Sequence, residues 1–304
     1  MPQRRFQALF LGDSVVWGQG LREEDKFSTS IVEWIHQWHP HRGAHKIVKA
    51  HSGAIVGDGG GDEEDPKWHP EVPQALPSIH RQCTDYCDSD PSEVDLVVIN
   101  GGINDVGVRS IFTPSTTRED LRSHMRYTFL TLFPDLLVNV ARKFSNPAAR
   151  ILVLGYYPIL SEASSIAGVG PMASAYGVGT GTFVGWNPWR MVVTNAQVFH
   201  TYSDELIKQA IGKAGEPNRF VFVKPEFAPE NAAFAGKPWV FGIRLPHLTP
   251  EDDVAEERQA ASLVHTDLGK REISARASIG HPNRWGARAY FNAIYPVLQR
   301  EYGL

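Results

Sequence analysis

A serine sits in this sequence where covalent chemistry could begin. The apolar run Phe6–Leu11 (FQALFL) leads straight into Gly12-Asp13-Ser14 and then Val15-Val16-Trp17-Gly18. If that run is a strand of a parallel sheet, Ser14 lies at its carboxyl end, facing the crevice where such sheets bind ligands. Its own backbone N–H would then be free to meet a developing oxyanion. Taken alone, the same three residues equally describe a turn serine that caps the next helix.

A serine hydroxyl is a weak nucleophile and needs a base to take its proton. Ser278-Ile279-Gly280-His281-Pro282-Asn283 offers one, because a histidine followed by proline is held outside regular structure. A lone histidine of this kind also fits a capping or surface role. Two further stretches could stabilise charge on a substrate oxygen. Gly53, in His51-Ser52-Gly53-Ala54, lets the backbone approach a ligand and offers an N–H. Asn104, in Gly101-Gly102-Ile103-Asn104-Asp105, could add a side-chain amide donor without competing as a base. An Asx turn or a helix cap explains Asn104 as well. The serine motif is not the G-x-S-x-G elbow.

These residues need elements to bring them together. Continuous apolar runs predict five buried strands: Phe6–Leu11, 46–50 (KIVKA), 95–100 (DLVVIN), 150–155 (RILVLG) and 219–223 (RFVFV). Helical spacing is predicted over Phe27–Trp38, 71–86, 118–144 (kinked or split at Pro134), 188–213 and 285–302. Asn187 and Pro188 would open the fourth helix. Alternating strands and helices predict an α/β class, with helices on both faces of a parallel sheet. Residues 161–185 and 225–280 fit neither pattern. They read as long insertions in one domain spanning 1–304, as lids, substrate walls or plain surface loops.

Composition narrows the classes. Of 304 residues, 42% are hydrophobic and 21% charged, which suits a folded globular chain. A formal net charge of -4 leaves no basic surplus for nucleic acid, so no nucleic-acid partner is expected. No apolar run approaches the ~18 residues of a membrane span, so no integral membrane association is expected. The N-terminal apolar run is too short for a signal-peptide core, which implies a cytoplasmic location, or secretion if a leader once preceded Met1. Cys83 and Cys87, four apart on a predicted helix, read as reduced thiols rather than a disulfide or a metal site. The glycine-rich acidic stretch 58–65 (DGGGDEED) lacks the EF-hand spacing. His36, His39, His41 and His45 read as a solvated helix end.

The four chemical stretches, in this order and each beside a predicted strand end or helix start, resemble the SGNH (GDSL-like) hydrolase family. The naming residues would be Ser14, Gly53, Asn104 and His281. Gly-Tyr-Tyr-Pro at 155–158 and the closing H-P-N-x-x-G-A at 281–287 add to the likeness, whereas 160–280 match poorly. The resemblance implies a three-layer α/β/α sandwich with a five-stranded parallel sheet in flavodoxin-like order 2-1-3-4-5. It implies hydrolysis of a small-molecule ester (a lipid, a simple acyl ester or an acylated sugar) with no metal or organic cofactor. Ser14 would attack, His281 would carry the proton, and the Ser14 and Gly53 N–H groups with the Asn104 amide would hold the oxyanion. Asp13 is expected to brace the turn rather than react.

One position departs from the family. An aspartate usually stands three residues before the histidine, and here that residue is Ser278. A backbone carbonyl or Ser278 could hold the imidazole N–H and leave a working dyad, which is the favoured expectation. An acid from the long insertion, with Asp267 as candidate, could reach in. Otherwise the site would be slow or inactive, or would serve as a binding module. The same residues would also suit acyl transfer to an acceptor other than water. Trp17, Tyr156, Tyr157, Trp186, Trp189 and Trp239 are available to line an acyl or sugar pocket, or to pack the core.

Overall fold

Burial on both faces explains why the central strands read as unbroken apolar runs. The structure, a computed structural model, describes residues 4–38, 40–57, 69–178, 188–216, 218–244, 249–263 and 268–303. β1 (Phe6–Leu11), β3 (Leu96–Ile99) and β4 (Arg150–Leu154) are buried at nearly every position. β2 (Ala44–Val48) and β5 (Phe220–Val223) form the edges. All five pair in parallel in the order β2-β1-β3-β4-β5. A minimal antiparallel pair, β6 (Ile243–Arg244) with β7 (Thr249–Pro250), lies outside this sheet.

Consecutive strands run outward in opposite directions from the β1–β3 pair, so the crevice opens beyond the carboxyl ends of those two strands. Ser14 follows β1 and Asn104 follows β3, and the register sets Leu11 beside Ile99. Adjacent strand ends therefore deliver the two residues to one edge.

The helices are α1 (Ser14–Trp17), α2 (Phe27–Trp38), α3 (Ile79–Thr84), α4 (Ile103–Val106), α5 (Val108–Phe112), α6 (Arg118–Tyr127) and α7 (Phe133–Lys143). They continue with α8 (Ile166–Ala175), α9 (Pro188–Ala214), α10 (Ala255–Ser262), α11 (Leu268–Ala275) and α12 (Arg284–Tyr302). One layer packs α2 on α12, with Trp34 edge-on to Tyr295 at 5.2 Å and Phe27 stacked on Tyr290 at 5.3 Å. The other layer joins α3, α6, α7 and α9. The arrangement is the three-layer α/β/α sandwich with the expected strand order.

Two of the helix expectations are corrected, and one is borne out. The helix predicted over 71–86 is only α3. Pro77 disfavours helical backbone before it, and Ser78 starts the helix by accepting the Arg81 N–H at 3.2 Å. Cys87 lies beyond that helix, exposed, while Cys83 is buried, and both thiols are free. The helix predicted over 118–144 splits as expected near Pro134, through a π-helical turn at Thr128–Leu132. The Leu130 carbonyl, which an α-helical N–H at 134 would have met, accepts from Lys213 Nζ at 2.9 Å instead. Finally, both unpatterned segments contain helix: α8 in the first, α10 and α11 in the second. The acidic stretch 58–65, His39, Trp186, Asn187 and Asp267 lie outside the described residues. Among the described residues, no helix is long and apolar enough to cross a membrane.

Candidate active site

The turn after β1 is built to present one hydroxyl. Gly12 has φ +147, and a Cβ there would lie 2.7 Å from the Asn100 carbonyl oxygen, so only glycine fits. Buried Gln82 accepts the Gly12 N–H at 2.8 Å and donates to the Gly12 carbonyl at 3.0 Å, fixing the peptide that enters the turn. Asp13 caps α1 by accepting the Val15 N–H at 2.9 Å, and Tyr156 donates to its other oxygen at 3.0 Å. Asp13 thus braces the turn. Burial pushes its carboxyl up to about 6, with the Asp105 charge adding to the rise, against the hydrogen bonds from Val15 and Tyr156.

His281 arrives from the other end of the chain. Its Nε2 lies 2.7 Å from Ser14 Oγ. The main chain around it is held at several points. Phe241 N–H donates to the His281 carbonyl at 2.7 Å, and Gly280 N–H donates to the Phe241 carbonyl at 2.9 Å. Tyr157 donates to the Gly280 carbonyl at 2.7 Å, and Tyr176 donates to that of Ile279. Asn283 then caps α12, accepting from Trp285 N–H at 2.9 Å. Burial pushes the imidazole down to about 4. Its Nδ1 is buried with no partner at full hydrogen-bond geometry among the described residues, while the backbone carbonyls of Ser278 and Ile279 face the ring and oppose the effect of burial.

Gly53 and Asn104 meet at the same edge. Gly53 has φ +81, and a Cβ would come within 2.6 Å of the Gln74 backbone nitrogen. Asn104 donates one amide hydrogen to the Ala54 carbonyl at 2.9 Å, which leaves a second. Asp105 accepts the Val56 N–H at 2.9 Å, so the Gly53 loop is fastened to α4. Burial raises the Asp105 carboxyl. Among the described residues, neither the Ser14 nor the Gly53 N–H donates to another protein group.

Ser14, Gly53, Asn104 and His281 together line one cleft of about 200 Å³. Its remaining walls are mostly apolar and include Val15, Ile103, Tyr157 and Ile159. Tyr176, from the segment 161–185, and Ile273, Arg276 and Ala277, from 225–280, close it, so both segments contribute walls. Of the aromatic residues considered from the sequence, Tyr157 lines the cleft and Tyr156 is buried behind Asp13. Trp17 donates to Glu71, Trp189 packs against the core, and Trp239 lines a separate groove with Trp285. A hydroxyl hydrogen-bonded to a neutral imidazole, beside unengaged N–H donors, is equipped to attack a carbonyl and hold the resulting oxyanion.

Sequence reasoning missed a buried charge cluster next to the site. Arg258 is 0% exposed and pairs with Asp252 (2.9 Å) and Glu71 (3.1 Å). Glu71 also accepts from Trp17 Nε1 and Gln19 Nε2, each at 2.8 Å, just beyond α1. Burial raises the Glu71 carboxyl, while Arg258 opposes that rise. Among the described residues, Asp252 is an acid that meets position 278: the Ser278 hydroxyl donates to it.

No protein-family model matches the chain, and no curated protein matches it significantly. Solved structures do share its fold. The extracellular lipase of Streptomyces rimosus is 17% identical, aligned over 97% of this chain and 99% of its own, with a TM-score of 0.50. Phospholipase A1 from Streptomyces albidoflavus NA297 is 14% identical over 98% and 99%, with a TM-score of 0.50. A lipase from a goat rumen metagenome is 12% identical over 96% of each chain, also at 0.50.

Proposed function

We propose that this chain is a carboxylic ester hydrolase of the SGNH (GDSL-like) kind, acting on a small-molecule ester through an acyl-enzyme at Ser14. The single observation that carries the reading is the 2.7 Å contact between Ser14 Oγ and His281 Nε2. It agrees with the lipase and phospholipase names of the solved structures that share the fold.

In this mechanism His281 Nε2 takes the Ser14 proton as the oxygen attacks the acyl carbonyl. The oxyanion is met by the Ser14 and Gly53 N–H groups and the free Asn104 amide hydrogen. The imidazolium returns its proton to the leaving alcohol, and water repeats the sequence to release the acid. No metal or organic cofactor enters these steps. Burial supports His281 in this part, because a ring kept neutral is ready to accept a proton at neutral pH. The apolar walls of the cleft support an acyl chain as the part of the substrate that is enclosed.

The test is hydrolysis of short p-nitrophenyl esters, together with labelling by a fluorophosphonate. Wild type should release p-nitrophenol and take up the probe at Ser14, and Ser14→Ala should do neither. Equal rates for the two proteins would end the proposal.

A further inference from the structure

The cleft carries one charge that the proposed chemistry does not use. Among the described residues that line it, none is a carboxylate, and Tyr157, Tyr176 and His281 are uncharged at neutral pH. Arg276 is the exception, a guanidinium set among mostly apolar walls. It is half-buried and stands directly after α11. Ile273, Arg276 and Ala277, at helical spacing, turn one face to the cleft.

The main chain of Arg276 is fixed, and its side chain is uncommitted. Its N–H donates to the Ile273 carbonyl and its carbonyl accepts the Ile279 N–H, each at 3.1 Å. The residue is thus anchored in the loop that carries His281. No hydrogen bond, ion pair or ring contact joins the side chain to another described residue. Arg258, from the same insertion, is the contrast. It pairs with Asp252 and Glu71, and its Nε donates to the Ser274 carbonyl at 2.6 Å. A basic residue at a helix C-terminus often bonds the last carbonyls. The Arg276 side chain bonds none among the described residues.

A guanidinium so placed favours one kind of occupant. Its planar fork of N–H donors matches a carboxylate or a phosphate. A neutral ester that fills the cleft strips water from the guanidinium and offers it no partner. An anionic group replaces that water with charge-assisted hydrogen bonds. Given the esterase reading above, we infer that the substrate is an anionic ester. Besides the ester bond it carries a carboxylate or phosphate, which Arg276 binds while the acyl carbonyl lies at Ser14. Arg276 determines specificity and takes no part in the bond changes, so its contribution falls mainly on KM.

Matched esters test this, with the charge on either half of the substrate. Mono-p-nitrophenyl adipate against p-nitrophenyl hexanoate places it on the acyl half. p-Carboxyphenyl butyrate against p-carbamoylphenyl butyrate places it on the alcohol half, and p-phosphonooxyphenyl butyrate exchanges the carboxylate for a phosphate. Wild type should prefer at least one anionic ester over its neutral partner by roughly 10-fold in kcat/KM, mostly through KM. The preference should shrink as salt is raised, persist in part in Arg276→Lys and disappear in Arg276→Met. Each ratio is taken on one protein, so a poorly folded variant lowers both rates and leaves the ratio unmoved. Neutral esters cleaved as well as every anionic partner by wild type, or a preference that survives in Arg276→Met, would overturn the inference and leave the esterase reading intact. A wild-type protein inert to all the esters and to the fluorophosphonate would overturn both.

Discussion

Tyr156 donates its hydroxyl to Asp13 Oδ2 at 3.0 Å and accepts the Ile103 N–H at the same distance. One buried ring thereby joins the turn after β1 to the turn after β3, the two turns that carry Ser14 and Asn104. Removing the hydroxyl leaves a buried carboxylate oxygen and a buried N–H unsatisfied, each costing ~1–3 kcal/mol. Tyr156→Phe should therefore lower the urea midpoint clearly and reduce kcat. A midpoint equal to wild type would show that the bridge contributes nothing.

Asp13 gives the fold a pH signature of unusual sign. Its carboxyl titrates at about 6 in the fold and near 3.8 in the ordinary range, so the folded state binds the proton more tightly. The stabilisation from the protonated form is fully present below about 4 and is lost as pH rises to about 6. Asp13→Asn removes this dependence. Relative to wild type, the variant should gain stability between pH 4 and 6, with a constant difference above. Urea titrations at several pH values would read it, and a constant difference across the range would refute it.

The imidazole of His281 moves the other way. Burial holds it neutral down to about 4, well below the usual 6.5. Under the proposed mechanism the neutral ring is the active one. The acid limb of the kcat/KM profile should then fall well below pH 6. A half-maximal point near 6.5 would contradict the buried-base account.

Asn104 contributes one amide hydrogen to the Ala54 carbonyl and is proposed to offer the other to the oxyanion. Asn104→Ala should lower kcat by ~10²–10³-fold, with a smaller effect on KM. If KM alone changed, the residue would serve ground-state binding instead.

Arg258 is a test of stability. Arg258→Met leaves Asp252 and Glu71 buried without their cation, and breaking a buried pair from one side costs ~3–5 kcal/mol. The variant should melt at a markedly lower temperature, by calorimetry or circular dichroism. A melting point within a degree of wild type would mean that water reaches the cluster.

The sandwich and the residues of the cleft were legible in the sequence for the same reason. β1, β3 and β4 are covered on both faces and so read as unbroken apolar runs, and Ser14 and Asn104 stand directly after two of them. The cluster behind the cleft left no such trace. Glu71 and Arg258 are 187 positions apart, and no periodicity marks two polar residues that meet in the interior. Glu71 also sat inside a predicted helix that prolines 73 and 77 prevent from forming. Helix α8 was hidden by its own composition, with Gly168, Gly170 and Pro171 within ten residues. Gly168 is there because Phe234 packs on it: a Cβ would lie 2.1 Å from the ring. Tertiary packing overrides local propensity at that point.

The loop that carries His281 is hung from Phe241, Tyr157 and Tyr176 rather than from the parallel sheet. The sheet and its two helical layers are consequently a chassis that can outlast its own chemistry. Gentle heating or a protease nick in 225–280 would silence the protein while far-ultraviolet circular dichroism still reported a folded core. Loss of activity and loss of shape would then be two events separated in temperature, with the first belonging to the anchors of that loop.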